Sequence, residues 1–353
     1  MSTPVCVANS DNHFGPRVDP SCRPFDFTLL FEDAFFAVLP AALLMLLLPA
    51  RLQLLRRAPV KMTTYRLAIS KSICLGALFT LQVVYAVYRF RAPALHTKLA
   101  TTSDVLNIVA TTAAAILSFV EDQCSIEPSD LLVIYFSALT LLDVPRLRSL
   151  WLIPGTDTCR GLWTTIYILT VAALVLESMK KFRILRTLYT DVTKEQVIGF
   201  WGRSFFIWVT PLFRAGFSDI LSVEDLPETD KDLQGDVARQ KLETAWVNCK
   251  PNFRLLKAVF RAYPWPVLLA VVPRLALSGF TFCQPFLITS TINYFENDST
   301  EDIRQYGRAL VGAYLLVYLG IAISTAVYWR RAYRATLLGR DSELRRLCEL
   351  GEI

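Results

Sequence analysis

The sequence has few charged side chains and few side chains that bind metals. Charged residues make up 19% of its 353 residues, whereas a typical soluble domain has about 25%. The two histidines, His13 and His96, stand apart, and none of the eight cysteines forms a Cys-x-x-Cys pair, so no cluster of zinc ligands is present. The composition excludes a disordered chain, since such chains are rich in charge. We expect no metal site and no catalytic residue.

A phosphate-binding loop is also absent from the printed sequence. The pattern Gly-x-x-x-x-Gly-Lys-Ser/Thr occurs nowhere in it. That loop and its lysine hold the phosphates of ATP in a large class of ATPases. We therefore expect no ATPase activity and no cofactor on this chain. The first 26 residues lack an apolar core, so we expect no removable signal peptide, and the first apolar segment must direct insertion.

Long apolar segments dominate the rest of the sequence. Hydrophobic residues make up 53% of the chain, and the mean hydropathy is +0.38. A helix needs about 20 apolar residues to cross the hydrocarbon core of a bilayer. We count seven such segments and predict an all-α integral membrane protein. The predicted spans cover about 27–48, 72–90, 100–120, 130–145, 161–178, 264–294 and 308–329.

Basic residues predict the orientation of these spans. Cytoplasmic loops are enriched in Lys and Arg, and the stretches after spans five and seven are basic. The first loop carries Arg51, Arg56, Arg57, Lys61, Arg66 and Lys71. We therefore predict that the N-terminus lies outside and the C-terminus in the cytoplasm, although the second and fourth loops indicate the opposite more weakly. Basic residues that follow the cytoplasmic membrane face explain the net charge of +6 without a nucleic-acid partner.

This orientation places two features of the sequence outside the cytoplasm. Asn297-Asp298-Ser299 matches the pattern for N-glycosylation and lies between spans six and seven. Cys6 and Cys22 lie in the N-terminal segment. They form either a disulfide bond, as an oxidising compartment allows, or two free thiols.

Residues 179–262 form the long polar stretch of the chain. Within it, apolar residues follow i, i+3, i+4, i+7 and i+8 spacing at Phe205, Trp208, Val209, Leu212 and Phe213. This spacing predicts one helix with an apolar stripe that lies at the membrane interface, although the proline at 211 would bend or stop it. Residues 252–261 predict a second amphipathic helix, an elbow helix that lies in the inner interface before span six.

Two motifs in this stretch resemble the linker of subfamily C ABC transporters, the multidrug-resistance-associated type. They are S-F-F-x-W-x-x-P-L-F-R-x-G at 204–216 and L-S-V-E-D-L-P at 221–227. The motif residues that we single out are Phe205, Phe206, Trp208, Pro211, Leu212, Phe213, Gly216, Glu224, Asp225 and Leu226. The sequence as a whole resembles fungal members of this subfamily.

The resemblance implies a domain organisation and a function. It predicts a five-helix N-terminal membrane domain at 1–178, a cytoplasmic lasso linker with the elbow helix at 179–262, and the first two helices of an ABC exporter transmembrane domain at 263–353. The intact family exports amphipathic or conjugated organic anions and xenobiotics, and its nucleotide-binding domains bind ATP and Mg²⁺. This chain lacks those domains, so we expect a truncated product that does not transport alone.

Two polar residues of span six are the predicted substrate-binding residues. The resemblance implies a basic residue at Arg274 that faces the transport pathway. A guanidinium group can hold a carboxylate, sulfonate or phosphate through paired hydrogen bonds. Gln284 offers further polar atoms beside Pro285. The alternatives are that Arg274 pairs with an acidic neighbour or extends to the interface, and that Gln284 forms hydrogen bonds between helices.

Two other functions remain open at this point. A five-helix domain without transport activity can act as a membrane scaffold that binds partner proteins. Seven spans with the N-terminus outside also match the topology of a receptor, although a receptor does not need the linker motifs. The basic inner face fits either a plasma membrane or a vacuolar membrane.

Overall fold

The computed structural model describes residues 10–14, 18, 26–56, 66–125, 128–179, 198–218, 220–222, 240, 242–246, 254–296 and 301–349. All the regular elements in these ranges are helices. The chain divides into two compact units, of which the first ends at Trp201 and the second includes the described residues from Gly202 onward.

Five long helices build the first unit. They are α1 (Leu29–Leu55), α2 (Arg66–Arg91), α3 (Ala100–Cys124), α4 (Asp130–Leu152) and α5 (Asp157–Ser178). The hydroxyl of Ser129 caps α4 by accepting a hydrogen bond from the amide of Leu132 at 3.2 Å. Gly155 has a φ angle of 78° in the turn between α4 and α5, a conformation that glycine adopts at no steric cost.

The five helices pack as a closed ring. Helix α1 contacts α3 and α4, α2 contacts α3 and α5, and α4 contacts α5. The order around the ring is therefore α1, α3, α2, α5 and α4. Its interior holds a buried apolar cluster that includes Leu44, Leu75, Leu117 and Phe136. Ala110, which is fully buried, allows the helices to approach closely, as small residues do between membrane helices.

The five predicted spans of this unit are all present as helices, and six of the seven predicted spans are long and apolar enough to cross a membrane by length and composition. Six helices among the described residues are long and apolar enough to cross a membrane: Leu29–Leu55, Leu67–Arg91, Ala100–Cys124, Asp157–Ser178, Leu268–Phe295 and Gly307–Thr336. The predicted fourth span, α4, is not among them. It carries Asp143 and Arg146, which are buried inside the unit, so they interrupt its apolar run without facing lipid.

The second unit contains a long helical hairpin. It includes α7 (Thr210–Ser218), α8 (Arg254–Ala262), α9 (Pro264–Glu296) and α10 (Glu301–Glu349), and the short α6 (Phe200–Ser204) crosses from the first unit. Helices α9 and α10 pack side by side. The hydroxyls of Thr291 and Tyr314 lie 2.9 Å apart near the connected ends, and Arg274 contacts Tyr328 near the other ends. The two helices are therefore antiparallel.

The predicted linker helix with one continuous apolar stripe is interrupted. Phe206 has a φ angle of 55°, which is uncommon for a residue with a β-carbon. A single 3-10 turn, Ile207–Val209, follows, and α7 begins at Thr210. Pro211 therefore occupies the first turn of α7, where its missing amide donor costs nothing. The amphipathic segment predicted at 252–261 is helical as α8.

Candidate functional site

The first unit buries charged side chains near both of its ends. We name the groups by their central residues. The Asp33 cluster lies where α1 begins and α2 ends, and it contains Asp26, Glu32, Asp33, Arg89, Asp104, Arg146 and Ser149. The Lys71 cluster lies where α1 ends and α2 begins, and it contains Arg51, Lys71, Ser118, Glu121, Asp122 and Glu177.

Asp33 accepts four hydrogen bonds, from three other helices and from Thr97 in the connection between α2 and α3. Its Oδ2 accepts from Arg89 Nη2 at 2.6 Å and from Thr97 Oγ1 at 2.7 Å. Its Oδ1 accepts from Ser103 Oγ and from Arg146 Nη2, both at 3.0 Å. Because Arg89, Ser103 and Arg146 lie on α2, α3 and α4, this one carboxylate joins four helices.

A second carboxylate and an aromatic ring complete this arrangement. Arg89 Nη1 donates to Asp104 Oδ1 at 3.0 Å, and the nearest nitrogen of Arg146 lies 4.0 Å from the same oxygen. The guanidinium of Arg146 lies 4.2 Å from the ring centre of Trp163 on α5, within the range of a cation–π interaction. The Asp33 cluster therefore contacts all five helices.

The Lys71 cluster is built around one ammonium group. Lys71 Nζ donates to Asp122 Oδ1 at 2.9 Å and to Glu177 Oε2 at 2.8 Å, and Ser118 donates to the other oxygen of Glu177. The prediction that Lys71 belongs to the first loop was wrong. Helix α2 begins at Arg66, earlier than the predicted start at 72, so Lys71 lies inside the helix and is 2% exposed.

An ion pair joins α1 to α3 at the same end. Arg51 Nε lies 2.6 Å from Glu121 Oε1. The Arg51 side chain is 36% exposed, so water partly screens this pair. The pairs of Lys71, Arg89 and Arg146 are buried on both sides, and removing one partner from such a pair costs about 3–5 kcal/mol, because the other charge is then left without compensation. The two clusters therefore fix which helices pair. Sequence reasoning could not say which of these residues pair, because the partners lie far apart along the chain.

Arg274 and Gln284 lie on α9, and the structure does not bring them together. Ten residues of helix separate them by about 15 Å along the axis. The Arg274 side chain is exposed and its guanidinium lies 5.3 Å from the ring centre of Tyr328. Among the described residues, no carboxylate lies within ion-pair distance of Arg274. Gln284 is half-buried.

The first linker motif exposes most of its aromatic rings. Phe205, Phe206 and Phe213 are exposed, as is Pro211, whereas Trp208 and Leu212 are half-buried. A β-carbon on Gly216 would lie 2.9 Å from the Leu221 side chain, so the small residue permits this contact between the two motifs. The predictions for Glu224, Asp225, Leu226, Asn297, Cys6 and Cys22 fall outside the described residues. Within those residues, no group of three metal ligands occurs.

The start of the linker docks on the first unit through a contact that the sequence did not reveal. The indole nitrogen of Trp201 donates to Ser137 Oγ on α4 at 3.0 Å. Its neighbour Phe200 is buried. A β-carbon on Gly199 would lie 3.1 Å from the backbone oxygen of Ser178, so the returning chain passes close to the end of α5.

Comparison with known proteins shows what this architecture is similar to. Residues 6–158 match the family model of the ABC transporter TMD0 domain. The chain is 35% identical to the ABC-type transporter FG02316 of Gibberella zeae over 94% of its own length. It is 33% identical to the ABC transporter atnG of Emericella nidulans over 95% of its length. It is 35% identical to the ABC multidrug transporter B of Aspergillus fumigatus over 91%.

The described helices and these matches together define an integral membrane protein of the all-α class. Its residues 6–158 are similar to the ABC transporter TMD0 domain, and the relatives that it resembles are fungal ABC transporters, in agreement with the resemblance of the linker motifs. The chain spans only 22–23% of the length of these three relatives.

Proposed function

We propose that this chain forms the N-terminal portion of an ATP-driven exporter of amphipathic or conjugated organic anions and xenobiotics. The observation that carries this proposal is the identity of 35% to a fungal ABC transporter over 94% of the chain. The similarity extends beyond the TMD0 match at 6–158 and includes the linker and the helical hairpin. In this proposal the hairpin of α9 and α10 begins the transport domain, and the first unit is an accessory membrane domain.

Arg274 is the residue that we propose for binding anionic substrates, with Gln284 as a second polar contact. Its guanidinium is exposed, lies in a helix apolar enough to span a membrane, and has no carboxylate partner among the described residues. The ring of Tyr328 beside it offers a surface for an aromatic part of the substrate. The separation of about 15 Å from Gln284 suits an elongated amphipathic molecule.

Transport of a conjugated organic anion tests the role of Arg274. The full-length product of the gene is assayed for ATP-dependent uptake into inside-out vesicles. We expect Arg274→Ala to raise KM strongly and Arg274→Lys to retain part of the affinity, since the ammonium keeps the charge but loses the paired geometry. Arg308→Ala, which removes an exposed arginine of α10, is the matched control. An unchanged KM in Arg274→Ala would show that the residue does not bind the substrate.

ATP and Mg²⁺ bind outside this chain in our proposal. The 353 residues hold no phosphate-binding loop of the Gly-x-x-x-x-Gly-Lys-Ser/Thr type, so we expect the purified chain neither to hydrolyse ATP nor to transport alone.

The exporter proposal is tested by sequencing the messenger RNA beyond the codon for Ile353. A reading frame that continues into further helices and a phosphate-binding loop supports the exporter. A stop codon at that point would exclude independent transport and favour the scaffold.

The scaffold is the second candidate, and the compactness of the first unit favours it. This unit buries both charge clusters within its own five helices, so it does not need the hairpin to satisfy them. A scaffold would form a stable complex with a partner membrane protein. Such a partner would co-purify with residues 1–201 and would be absent when the first unit is deleted. The receptor alternative depended on seven apolar spans. Six helices of the described residues are long and apolar enough to cross a membrane, so the span count does not favour a receptor.

The orientation is part of the proposal. The basic residues of the first loop support an N-terminus outside the cytoplasm, in either the plasma membrane or the vacuolar membrane. That orientation exposes Asn297 to the glycosylation machinery. We expect a glycosidase to shift the wild-type chain on a gel and to leave Asn297→Gln unshifted. For an independent check, a protease added outside sealed, right-side-out plasma-membrane vesicles should cut a tag at the N-terminus and spare one at the C-terminus.

A further inference from the structure

Ser149 of α4 has more hydrogen-bond acceptors around its hydroxyl than it has protons. Its Oγ lies 2.7 Å from Asp26 Oδ1 and 3.1 Å from the backbone oxygen of Pro145. It also lies within hydrogen-bonding distance of Glu32 Oε1. A serine hydroxyl carries one proton and two lone pairs. It can donate to only one carboxylate, so the other carboxyl group must bring a proton of its own.

The ion pairs of the Asp33 cluster indicate which carboxyl group carries this proton. Asp33 and Asp104 are paired with the two buried arginines. Asp26 is paired with Arg148, whose Nη1 lies 3.3 Å from its Oδ1. Glu32 has no ion pair within the described residues, its Oε2 has no hydrogen-bond partner, and it is 1% exposed. An ionised carboxylate in such a place would be very costly.

We propose that Glu32 is a buried proton-binding site. Its protonated carboxyl group donates to Ser149 Oγ, and Ser149 donates to Asp26 Oδ1. Asp26 in turn is paired with Arg148, whose side chain is 48% exposed. The hydrogen bonds from Glu32 through Ser149 to Asp26 connect the protonated carboxyl group to the ion pair of Asp26 and Arg148. The ligand of this site is one proton, and no other bond is formed or broken.

The backbone around Glu32 supports a specialised role. Residues Glu32–Val38 of α1 form a π-helix, a rare conformation that often occurs at functional sites. Both Glu32 and its neighbour Asp33 are 1% exposed. The two adjacent carboxyl groups therefore both face the interior of the ring, one bound to arginines and the other to Ser149.

Loss of this proton would change the balance of charge near one end of the first unit. The charged groups around Glu32 are Asp26 and Asp33 near or on α1, Arg89 on α2, Asp104 on α3, and Asp143, Arg146 and Arg148 on α4. An ionised Glu32 would face the Asp26 carboxylate across a single hydroxyl. A free glutamate loses its proton at about pH 4.3, so at neutral pH the unfolded chain has lost this proton while the native state still holds it. Stability therefore falls as pH rises.

Infrared spectroscopy of the whole chain in lipid nanodiscs tests the site directly. We expect a carbonyl band of a protonated carboxyl group at neutral pH that shifts in heavy water. Glu32→Gln should remove this band, because the amide has no such group. Asp157→Asn is the matched control, since Asp157 is an exposed carboxylate at the start of α5, and it should keep the band. A wild-type spectrum in which no such band is lost in Glu32→Gln would overturn the proposal.

Thermal unfolding against pH gives a second measurement. The wild-type melting temperature should fall as pH rises above about 4.3, where a free glutamate loses its proton. Glu32→Gln should flatten this fall, because its amide can donate to Ser149 at every pH. Asp157→Asn, which removes an exposed carboxyl at the start of α5, should retain the fall. An unchanged pH dependence in Glu32→Gln contradicts the proposal. If Glu32→Gln does not fold, the wild-type infrared spectrum decides. A wild-type spectrum without a band of a protonated carboxyl group would mean that Glu32 is ionised, and the proposal would be wrong.

Discussion

Lys71 and Glu177 form an ion pair in the interior of the first unit, with Nζ 2.8 Å from Oε2 and each side chain 2% exposed. They lie 106 residues apart in the sequence and join α2 to α5. Lys71 also binds Asp122 of α3, so one ammonium group holds three helices at the end of the ring opposite the Asp33 cluster.

Replacement of Lys71 should destabilise the first unit strongly. Lys71→Gln leaves the buried carboxylates of Asp122 and Glu177 without a cation, and such a loss costs about 3–5 kcal/mol. Unfolding in detergent, followed by circular dichroism, measures the change in the free energy of unfolding. Lys257→Gln, on the exposed face of α8, should change it by less than about 0.5 kcal/mol. Similar stabilities of the two variants would argue against the buried ion pair.

Asp33→Asn should loosen the other end of the same ring. The amide keeps the shape of the side chain but removes the charge that binds both Arg89 and Arg146. We expect a loss of about 3–5 kcal/mol, because two buried guanidinium groups then share Asp104 alone. Thermal unfolding of the purified chain measures it. The exposed Asp157, replaced by Asn, is the control that should unfold like wild type, and a stable Asp33→Asn would mean that these arginines have other partners.

The sequence predicted the membrane helices well because the signal is local. A run of about 20 apolar residues marks a span wherever it occurs, and each predicted span corresponds to a helix, including α9 and α10. The rule is less reliable at α4 and at Lys71. At these places, charged side chains are buried inside the ring of helices. A count of apolar residues takes Asp143 and Arg146 as interruptions of a span and Lys71 as part of a loop.

The pairing within the site could not be predicted in the same way. Asp33 and Arg146 are 113 residues apart, and no local spacing relates them. Their pairing follows from the order of helices in the ring, which tertiary packing decides. The linker motifs predicted the family through resemblance, but the docking contact of Trp201 with Ser137 lies outside the selected motif residues and spans 64 positions.

Trp201→Phe should weaken the docking of the linker. The phenyl ring preserves most of the apolar contact but cannot donate to Ser137. We expect a loss of about 0.5–1.5 kcal/mol for the missing hydrogen bond. The measurement is the unfolding of the first unit together with its cleavage by protease after Ser178, which should become faster. Trp265→Phe, at a residue that is 71% exposed, should leave both unchanged, and equal behaviour of the two variants would contradict the docking role.

Gly320→Ala should disturb the hairpin of α9 and α10 because the two helices meet closely at Gly320. A β-carbon at this position would lie 2.6 Å from the ring of Phe280 on α9, whereas one at Gly312 would meet nothing within 4 Å. Overpacking costs about 1–3 kcal/mol, and the gain in helix propensity from alanine offsets at most about 1 kcal/mol of it. Gly312→Ala should show that gain alone.

The measurement is the rate of cross-linking between cysteines introduced at Thr291 and Tyr314, where the hydroxyls lie 2.9 Å apart. This rate reports how closely the two helices of the hairpin pack. The cross-link should form more slowly in Gly320→Ala than in Gly312→Ala, and equal rates would mean that the ring of Phe280 moves aside without separating the helices.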